Sequence, residues 1–181
     1  MYPLAALLTL LAAAPAGAGV PANPVKEAPA KVLKLTSPAF KHDAGIPARY
    51  TCDGANVSPP LAWSGAPEGT KSFVLLMDDP HPVAQNWVHW IVVDIPADAD
   101  SLEESASDNH MPTGARELAN SFGDIGYGGP CPPQGSHTYR FRLYAMNAES
   151  TDLETKGRRG DALHELLKGA LATALLEGVF P

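Results

Sequence analysis

Two short segments of this 181-residue chain concentrate the side chains that could carry out chemistry. Residues 78–90 and 128–139 together hold two adjacent carboxylates, three imidazoles and several aromatic rings: Asp78, Asp79, His81, Trp87, His89, Trp90, His137 and Tyr139. An imidazole beside a carboxylate can move a proton, hold a metal ion or receive an anion. Both segments are also rich in proline and glycine, which favour the turns that bring distant strands to one pocket.

Two predicted strands position the first segment. Residues 72–77 form a compact apolar run that stops where Pro80 removes a backbone donor, which places Asp79 at the end of a strand. Residues 87–95 form a second strand, closed by Pro96. Alternation along that strand predicts four side chains on one face: Trp87, His89, Ile91 and Val93.

A third predicted strand, residues 137–146, positions the second segment. Alternation places His137, Tyr139, Phe141 and Leu143 on one face and Thr138, Arg140, Arg142 and Tyr144 on the other. A histidine and an aromatic residue therefore share a face again. We expect Asp79 either to end a strand and cap a turn or to contact a ligand, and Asp78 to be structural.

Composition indicates one globular domain and excludes some functions. The chain has 45% hydrophobic and 18% charged residues, enough for one core and too few residues to favour two domains. Its formal net charge is −7, and its basic residues cluster only at 156–159. Nucleic-acid binding requires many neutralised phosphates, so no nucleic-acid partner is expected. The charge also opposes docking on anionic lipid, but not binding of one anion in a pocket.

The first residues resemble a secretory signal. Residues 4–14 are apolar, and small residues follow at 16–18, as a signal peptidase requires. We assign 1–18 to a signal peptide, 19–31 to a flexible linker and 32–181 to the domain, which predicts a periplasmic or secreted protein. The amino-terminal region lacks Lys and Arg, so membrane tethering is the alternative, although the run is short for a spanning helix.

Two cysteines, Cys52 and Cys131, suit a protein that leaves the cytoplasm. One disulfide between them is the main hypothesis, and two buried thiols are the alternative.

One helix is predicted near the C-terminus, with Asp161 as its N-cap. Its apolar stripe at helical spacing comprises Leu163, Leu166, Leu167, Ala170, Leu171 and Ala174. The stripe is expected to pack on the sheet, and a partner-binding face is the alternative. Turn-rich stretches at 46–67 and 123–135 separate the strands. The fold class is therefore mainly β, a sandwich decorated by a late helix.

Three ordered motifs resemble the phosphatidylethanolamine-binding protein family, more closely its bacterial, Raf kinase inhibitor-like branch. They are residues 50–61 (YTCDGANVSPPL), Asp79-Pro80 with residues 87–90 (WVHW), and residues 128–133 (GGPCPP) with residues 135–139 (GSHTY). The resemblance implies large and small antiparallel sheets with peripheral helices. It also implies an anion pocket at the strand ends, no cofactor and, as in some bacterial relatives, a homodimer.

Carried over by motif, the resemblance implies a set of ligand-binding residues. Asp79, Trp87 and His89 fall in the pocket, Cys131, Pro132 and Pro133 on its rim, and His137 and Tyr139 inside. An imidazole near Asp79 is expected to be cationic enough to receive an anion. The Tyr139 hydroxyl and a rim N–H, such as that of Cys131, would add donors.

Two departures from the family pattern change this picture. His81 stands where the family usually has a second acid, and with Pro82 and Val83 it alters the rim. Thr138 stands where the family usually has arginine, a role that Arg140 or Arg142 would have to replace.

Three functions remain open from the sequence. The first is non-enzymatic binding of a small anion, a phosphoryl or carboxylate group or a phospholipid head group. The second is inhibition of a kinase or peptidase through the pocket-rim loops, with an unknown target protein. The third is a hydrolase or metal-binding protein that uses the Asp/His cluster. No nucleophile motif and no zinc-like histidine spacing supports the third, so neither catalytic residues nor metal ligands are assigned.

Overall fold

The computed structural model describes residues 32–107, 109–151, 153 and 160–181. The predicted signal peptide (1–18), the predicted linker (19–31) and the basic cluster at 156–159 lie outside the described residues. Two sheets dominate, as predicted. The smaller sheet contains, in spatial order, β1 (Lys34–Thr36), β3 (Leu61–Ser64) and β6 (Ser101–Leu102). The larger contains β2 (Ala44–Gly45), β9 (Ala172–Phe180), β8 (His137–Met146), β4 (Ser72–Asp79), β5 (Trp87–Pro96) and β7 (Arg116–Glu117).

Strand β4 lies inside the larger sheet and is buried along its whole length. It reads as a continuous apolar run because both faces of the sheet are covered. Phe73, Leu75 and Met77 face the main core between the two sheets. Neighbouring strands in both sheets are antiparallel, except that β2 and β9 are parallel. The intervening Val74 and Leu76 face a second apolar cluster on the outer side. The same alternation sends the two carboxylates that end β4 to opposite sides.

Strand β5 begins at the predicted residue and runs one residue past its predicted end, through Pro96, but its predicted face is wrong. His89 is an extra residue in a β-bulge opposite the Met77–Asp78 step of β4. The bulge shifts the alternation, so His89 packs on the side of Tyr139 whereas Ile91 and Val93 lie in the outer cluster.

Strand β8 follows its predicted alternation. His137 and Tyr139 are buried on the main-core side. Arg140 and Arg142 lie on the outer side, where both guanidinium groups pair with the buried carboxylate of Asp78. Asp78 therefore has the structural role expected of it, because a buried carboxylate needs such partners.

The predicted C-terminal helix is shorter than expected. Helix α1 spans Gly160–Lys168, with Asp161 inside it rather than at its N-cap, and the stripe continues as strand β9. Gly169 disfavours helix, and β9 pairs with β8 over nine residues, burying Ala174 and Leu176 in the main core. Leucine and alanine spacing that suits a helix also suited this strand. No helix in the described part of the chain has the length and apolarity to cross a membrane.

A network of links holds the segment of residues 127–133, here called the wall segment, against the loop of residues 50–56. The predicted disulfide joins Cys52 to Cys131. The Tyr127 hydroxyl donates to the Tyr50 carbonyl oxygen at 2.7 Å, and the Gly129 N–H donates to Asn56 Oδ1 at 2.9 Å. The Cys52 N–H also donates to the Pro130 carbonyl oxygen at 3.0 Å. The wall segment is therefore fixed along most of its length.

The approach of Gly129 to the loop leaves no room for a side chain. A Cβ atom there would lie 2.4 Å from Asn56 Oδ1 and 2.6 Å from the Tyr50 carbonyl oxygen. We expect Gly129→Ala to lower the free energy of unfolding by about 1–3 kcal/mol in urea denaturation, because rigid backbone must move. Gly45→Ala is the matched control, since a Cβ there meets nothing within 4 Å. Equal midpoints for the two variants would contradict this account.

The disulfide closes a loop between residues 79 positions apart. We expect the double variant Cys52→Ser/Cys131→Ser to have a free energy of unfolding about 2–4 kcal/mol lower than that of the native protein, because its unfolded chain is less constrained. Equilibrium denaturation measures the difference. The native protein kept in a strong thiol reductant should match the variant, and a reductant without effect would show that the bond does not stabilise the fold.

Candidate functional site

A cavity of about 540 Å³ opens where β4 ends and β5 begins, next to the wall segment. Eight residues singled out from the sequence line it: Asp79, Val83, Trp87, His89, Cys131, Pro132, Pro133 and Tyr139. His81, Pro82 and His137, singled out with them, are not among the lining residues. The structure adds lining side chains that sequence reasoning missed: Ala84, Gln85, Asn86, Ser121 and Phe122.

Both carboxylate oxygens of Asp79 are held by hydrogen bonds at the base of this pocket. Its side chain is buried, and Oδ1 accepts the His81 backbone N–H at 2.9 Å. Its Oδ2 lies 2.5 Å from Nδ1 of His137. Asp79 has the predicted turn-capping role, its side chain lines the pocket, and its contact with a ligand stays a prediction. The carboxylate thereby holds a histidine and begins the turn that leads from β4 into the loop of residues 80–86.

His137 lies behind the pocket rather than inside it, which corrects the expectation drawn from the family motif. Its side chain is only 1% exposed. The His81 ring stacks on it, with centroids 3.9 Å apart and planes 19° from parallel. His81 thus covers His137 from the solvent side, and His137 acts on the cavity through Asp79.

His89 presents a neutral imidazole to the cavity, contrary to the expected cation. Its ring packs edge-on against Phe122 and Tyr139 at centroid distances of 5.4 and 5.2 Å. Burial lowers the pKa of His89, and this effect exceeds the opposing influence of the Gly128 carbonyl and of Asp79. Nδ1 lies 2.6 Å from the Gly128 carbonyl oxygen, so Nδ1 carries the proton and Nε2 is the acceptor.

Tyr139 contributes a neutral hydroxyl. Burial raises its pKa far above the ordinary range, and the nearby Asp79 raises it further. A hydrogen bond with the backbone of Cys131 acts in the opposite direction. The Cys131 backbone therefore lies near the Tyr139 hydroxyl, and donation from the Cys131 N–H to a ligand stays a prediction. Tyr139 remains a hydroxyl at every pH at which the protein would function.

The rim is apolar and exposed. Trp87 is 39% exposed, Phe122 49% and Val83 66%. The Trp87 and Phe122 rings meet edge-on at 5.3 Å. Phe122 was missed because it lies in irregular chain, where periodicity gives no signal. The sequence signal nearest to Phe122 is Asn120, a residue type that favours turns. Its Oδ1 accepts the Phe122 N–H at 2.9 Å.

The pocket has an unusual charge pattern for a predicted anion site. Its described lining residues include no Lys or Arg. The Asp79 carboxylate is the acidic group among them. Arg140 and Arg142 do not replace the family arginine here, because both turn to Asp78 on the other face of the sheet. Polar donors are left to amides and hydroxyls: Gln85, Asn86, Ser121 and Tyr139.

Comparisons with known proteins agree with the two-sheet fold. The family model "Phosphatidylethanolamine-binding protein" matches residues 36–181. The UPF0098 protein of Methanothermobacter thermautotrophicus is 42% identical over 149 residues, covering 82% of this chain and 98% of that protein. A Mycobacterium tuberculosis relative named as a lipoprotein, LppC, is 39% identical over 83% of this chain and 73% of its own length.

Two solved structures are similar throughout the domain. Escherichia coli YbcL, described as a member of the mammalian PEBP family, superposes with a TM-score of 0.76 at 34% identity, covering 82% of this chain and 97% of that one. Chlamydia trachomatis CT736 superposes with a TM-score of 0.74 at 36% identity, covering 83% and 98%. The motifs, the two-sheet fold and these matches together show that the chain belongs to the phosphatidylethanolamine-binding protein family.

Proposed function

We propose that this protein binds a small anion through a phosphoryl or carboxylate group in the pocket and catalyses no reaction. The observation that carries the proposal is the preformed cavity lined by His89, whose Nδ1 is fixed on the Gly128 carbonyl, so that Nε2 is the ring nitrogen left for a ligand. Its cavity volume of about 540 Å³ lies within the usual range for small-molecule sites. Membership of the family supports ligand binding as the general function.

The described pocket lining has no Lys or Arg, and this limits how an anion can bind. An anion can bind when His89 takes up a proton, so that Nε2–H becomes a charge-assisted donor. Alternatively, a ligand that keeps one acidic proton can donate it to the neutral Nε2. Asp79 remains compatible with either, because His137 and the His81 N–H already engage its two oxygens. Its role is to hold these groups in place.

A phospholipid head group satisfies these terms and also matches the rim. Its phosphodiester would lie at His89, while its ammonium group would lie against the faces of Trp87 and Phe122, where cations are attracted by aromatic rings. The exposed aromatic rim would then remain in contact with the rest of the lipid or with water. The rim supports a second candidate, inhibition of a partner enzyme, because exposed apolar patches often mark protein contacts.

Several contacts support binding over hydrolysis or metal binding. Cys131 is in a disulfide, and the Ser121 hydroxyl oxygen accepts the Val88 N–H at 2.9 Å, so neither is poised as a nucleophile. Among the described residues, the group of three His and carboxylate side chains close enough together to share a metal ion is His42, Asp43 and Glu177, which are not among the pocket-lining residues.

A location outside the cytoplasm is part of the proposal. The Cys52–Cys131 disulfide supports it, because such bonds persist in oxidising compartments. A relative named as a lipoprotein supports it as well.

The pH dependence of binding tests the proposal. Glycerophosphoethanolamine is a suitable ligand, because its phosphodiester stays a monoanion over the range used. Since burial lowers the pKa of His89 in the free protein and a bound anion favours the protonated form, binding takes up a proton. Affinity should rise as pH falls from about 8 to about 5.5, by up to about tenfold per pH unit. Isothermal titration calorimetry at each pH measures it.

His89→Gln is the matched control for this titration. Glutamine places an amide N–H near the position of Nε2 but does not titrate, so its affinity should be nearly independent of pH. A native protein whose affinity is flat or rises with pH would contradict the proposed proton uptake. Heat from stoichiometric Zn²⁺ with none from the phosphodiester, acetate or phosphate would overturn anion binding altogether.

A further inference from the structure

A second cavity, of about 640 Å³, lies on the opposite face of the larger sheet, between the sheet and α1. We call it the helix cleft. Asp78 lines the helix cleft while its neighbour Asp79 lines the pocket, because successive side chains of β4 point to opposite faces. Nothing in the pocket's proposed function uses the helix cleft.

The helix cleft carries an excess of positive charge. The carboxylate of Asp78 is buried, and guanidinium nitrogens of both Arg140 and Arg142 contact it, the latter at 3.0 Å. One carboxylate balances one of these two cations. Lys168, from the last turn of α1, adds a third cation to the lining. Asp78, Arg140 and Arg142 together thus leave one positive charge beside Lys168, in contrast to the pocket, whose described lining has no Lys or Arg.

The arginines still have donor capacity towards the helix cleft. Both side chains are 28% exposed, so part of each guanidinium faces the opening. Nε of Arg142 is buried and has no hydrogen-bond partner among the described residues. The adjacent Tyr144 is a neutral hydroxyl, since burial raises its pKa. Each guanidinium has five N–H donors, and Asp78 engages only part of them, so an anionic group in the helix cleft can accept from the others.

Asn86 and His164 also line the helix cleft, and the remaining lining residues are apolar. Leu76 and Val88 come from the sheet, and Leu163 and Leu167 from the facing side of α1. Leu163 and Leu76 belong to the outer apolar cluster, so the helix cleft is an extension of that cluster to the surface. A fully polar anion would leave these side chains in water, and a neutral apolar molecule would cover the arginines without accepting from them.

We propose that the helix cleft binds an amphipathic anion with a single alkyl chain, such as a fatty carboxylate or an alkyl phosphate. The head group lies against Arg140, Arg142 and Lys168. The chain lies between Leu76 of the sheet and Leu163 and Leu167 of α1. The cleft volume is in the range of about 300–1,000 Å³ that such ligands occupy.

Calorimetric titration of the full chain with dodecanoate and with dodecyl phosphate, each below its micelle concentration, tests the proposal. We expect one molecule per chain, and binding of either head group supports the shared chemistry. Decanoate should bind about tenfold more weakly than dodecanoate, since two fewer methylenes are buried. Equal affinity for dodecyltrimethylammonium, which has the same chain and the opposite charge, would overturn the role of the arginines.

Two variants locate the bound molecule. Lys168→Glu reverses an exposed charge at the helix cleft and should weaken dodecanoate binding about tenfold. Arg140→Gln leaves the Arg142–Asp78 pair in place and should also weaken it. Lys71→Glu, the same charge reversal at the other end of β4, is the matched control and should bind like the native protein. Thermal unfolding confirms that each variant is folded.

Competition separates the two cavities. Saturating glycerophosphoethanolamine should leave dodecanoate binding unchanged if the alkyl anion occupies the helix cleft. Displacement by that phosphodiester, or native-like affinity in both Lys168→Glu and Arg140→Gln, would overturn the proposal. Absence of any dodecanoate or dodecyl phosphate binding would do so as well.

Discussion

The hydrogen bond between His137 Nδ1 and Asp79 Oδ2 joins the ends of β8 and β4 beneath the pocket, and the site depends on it. Both groups are buried, and removing one partner of a buried pair typically costs about 3–5 kcal/mol. With Oδ2 so engaged, Oδ1 accepts the His81 N–H and begins the turn after β4. The position of the loop of residues 80–86, and with it part of the pocket rim, therefore follows from one carboxylate.

The sequence predicts the parts of this site that alternation and apolar runs control. The bounds of β5 and β8, the faces of β8 and the end of β4 could all be derived from residue patterns, and the family motifs indicated most of the lining. The bulge at His89 could not, because a bulge depends on the register between two strands. Likewise, residues 172–180 carry a pattern that suits helix and strand alike, and pairing with β8 decides between them.

Burial explains why the pocket lacks the cation that the sequence suggested at His89. The sequence places two imidazoles near Asp79, which suggests a cationic pocket, but desolvation keeps His89 neutral. The arginines that might have supplied charge lie across the sheet, held by Asp78. The two cavities therefore lie on opposite faces of one sheet, the pocket without Lys or Arg in its described lining and the helix cleft with both, and different ligands suit the two.

The adjacent positions of Asp78 and Asp79 also limit how this protein can change over evolutionary time. A one-residue insertion or deletion within β4 would exchange the two carboxylates between faces. An insertion would place Met77 against Arg140 and Arg142 in the position of Asp78, and it would displace the turn that Asp79 begins from the pocket rim. A substitution alters one cavity at a time, whereas a change of strand length would disrupt both. The length of β4 is therefore expected to be inherited more strictly than its apolar composition.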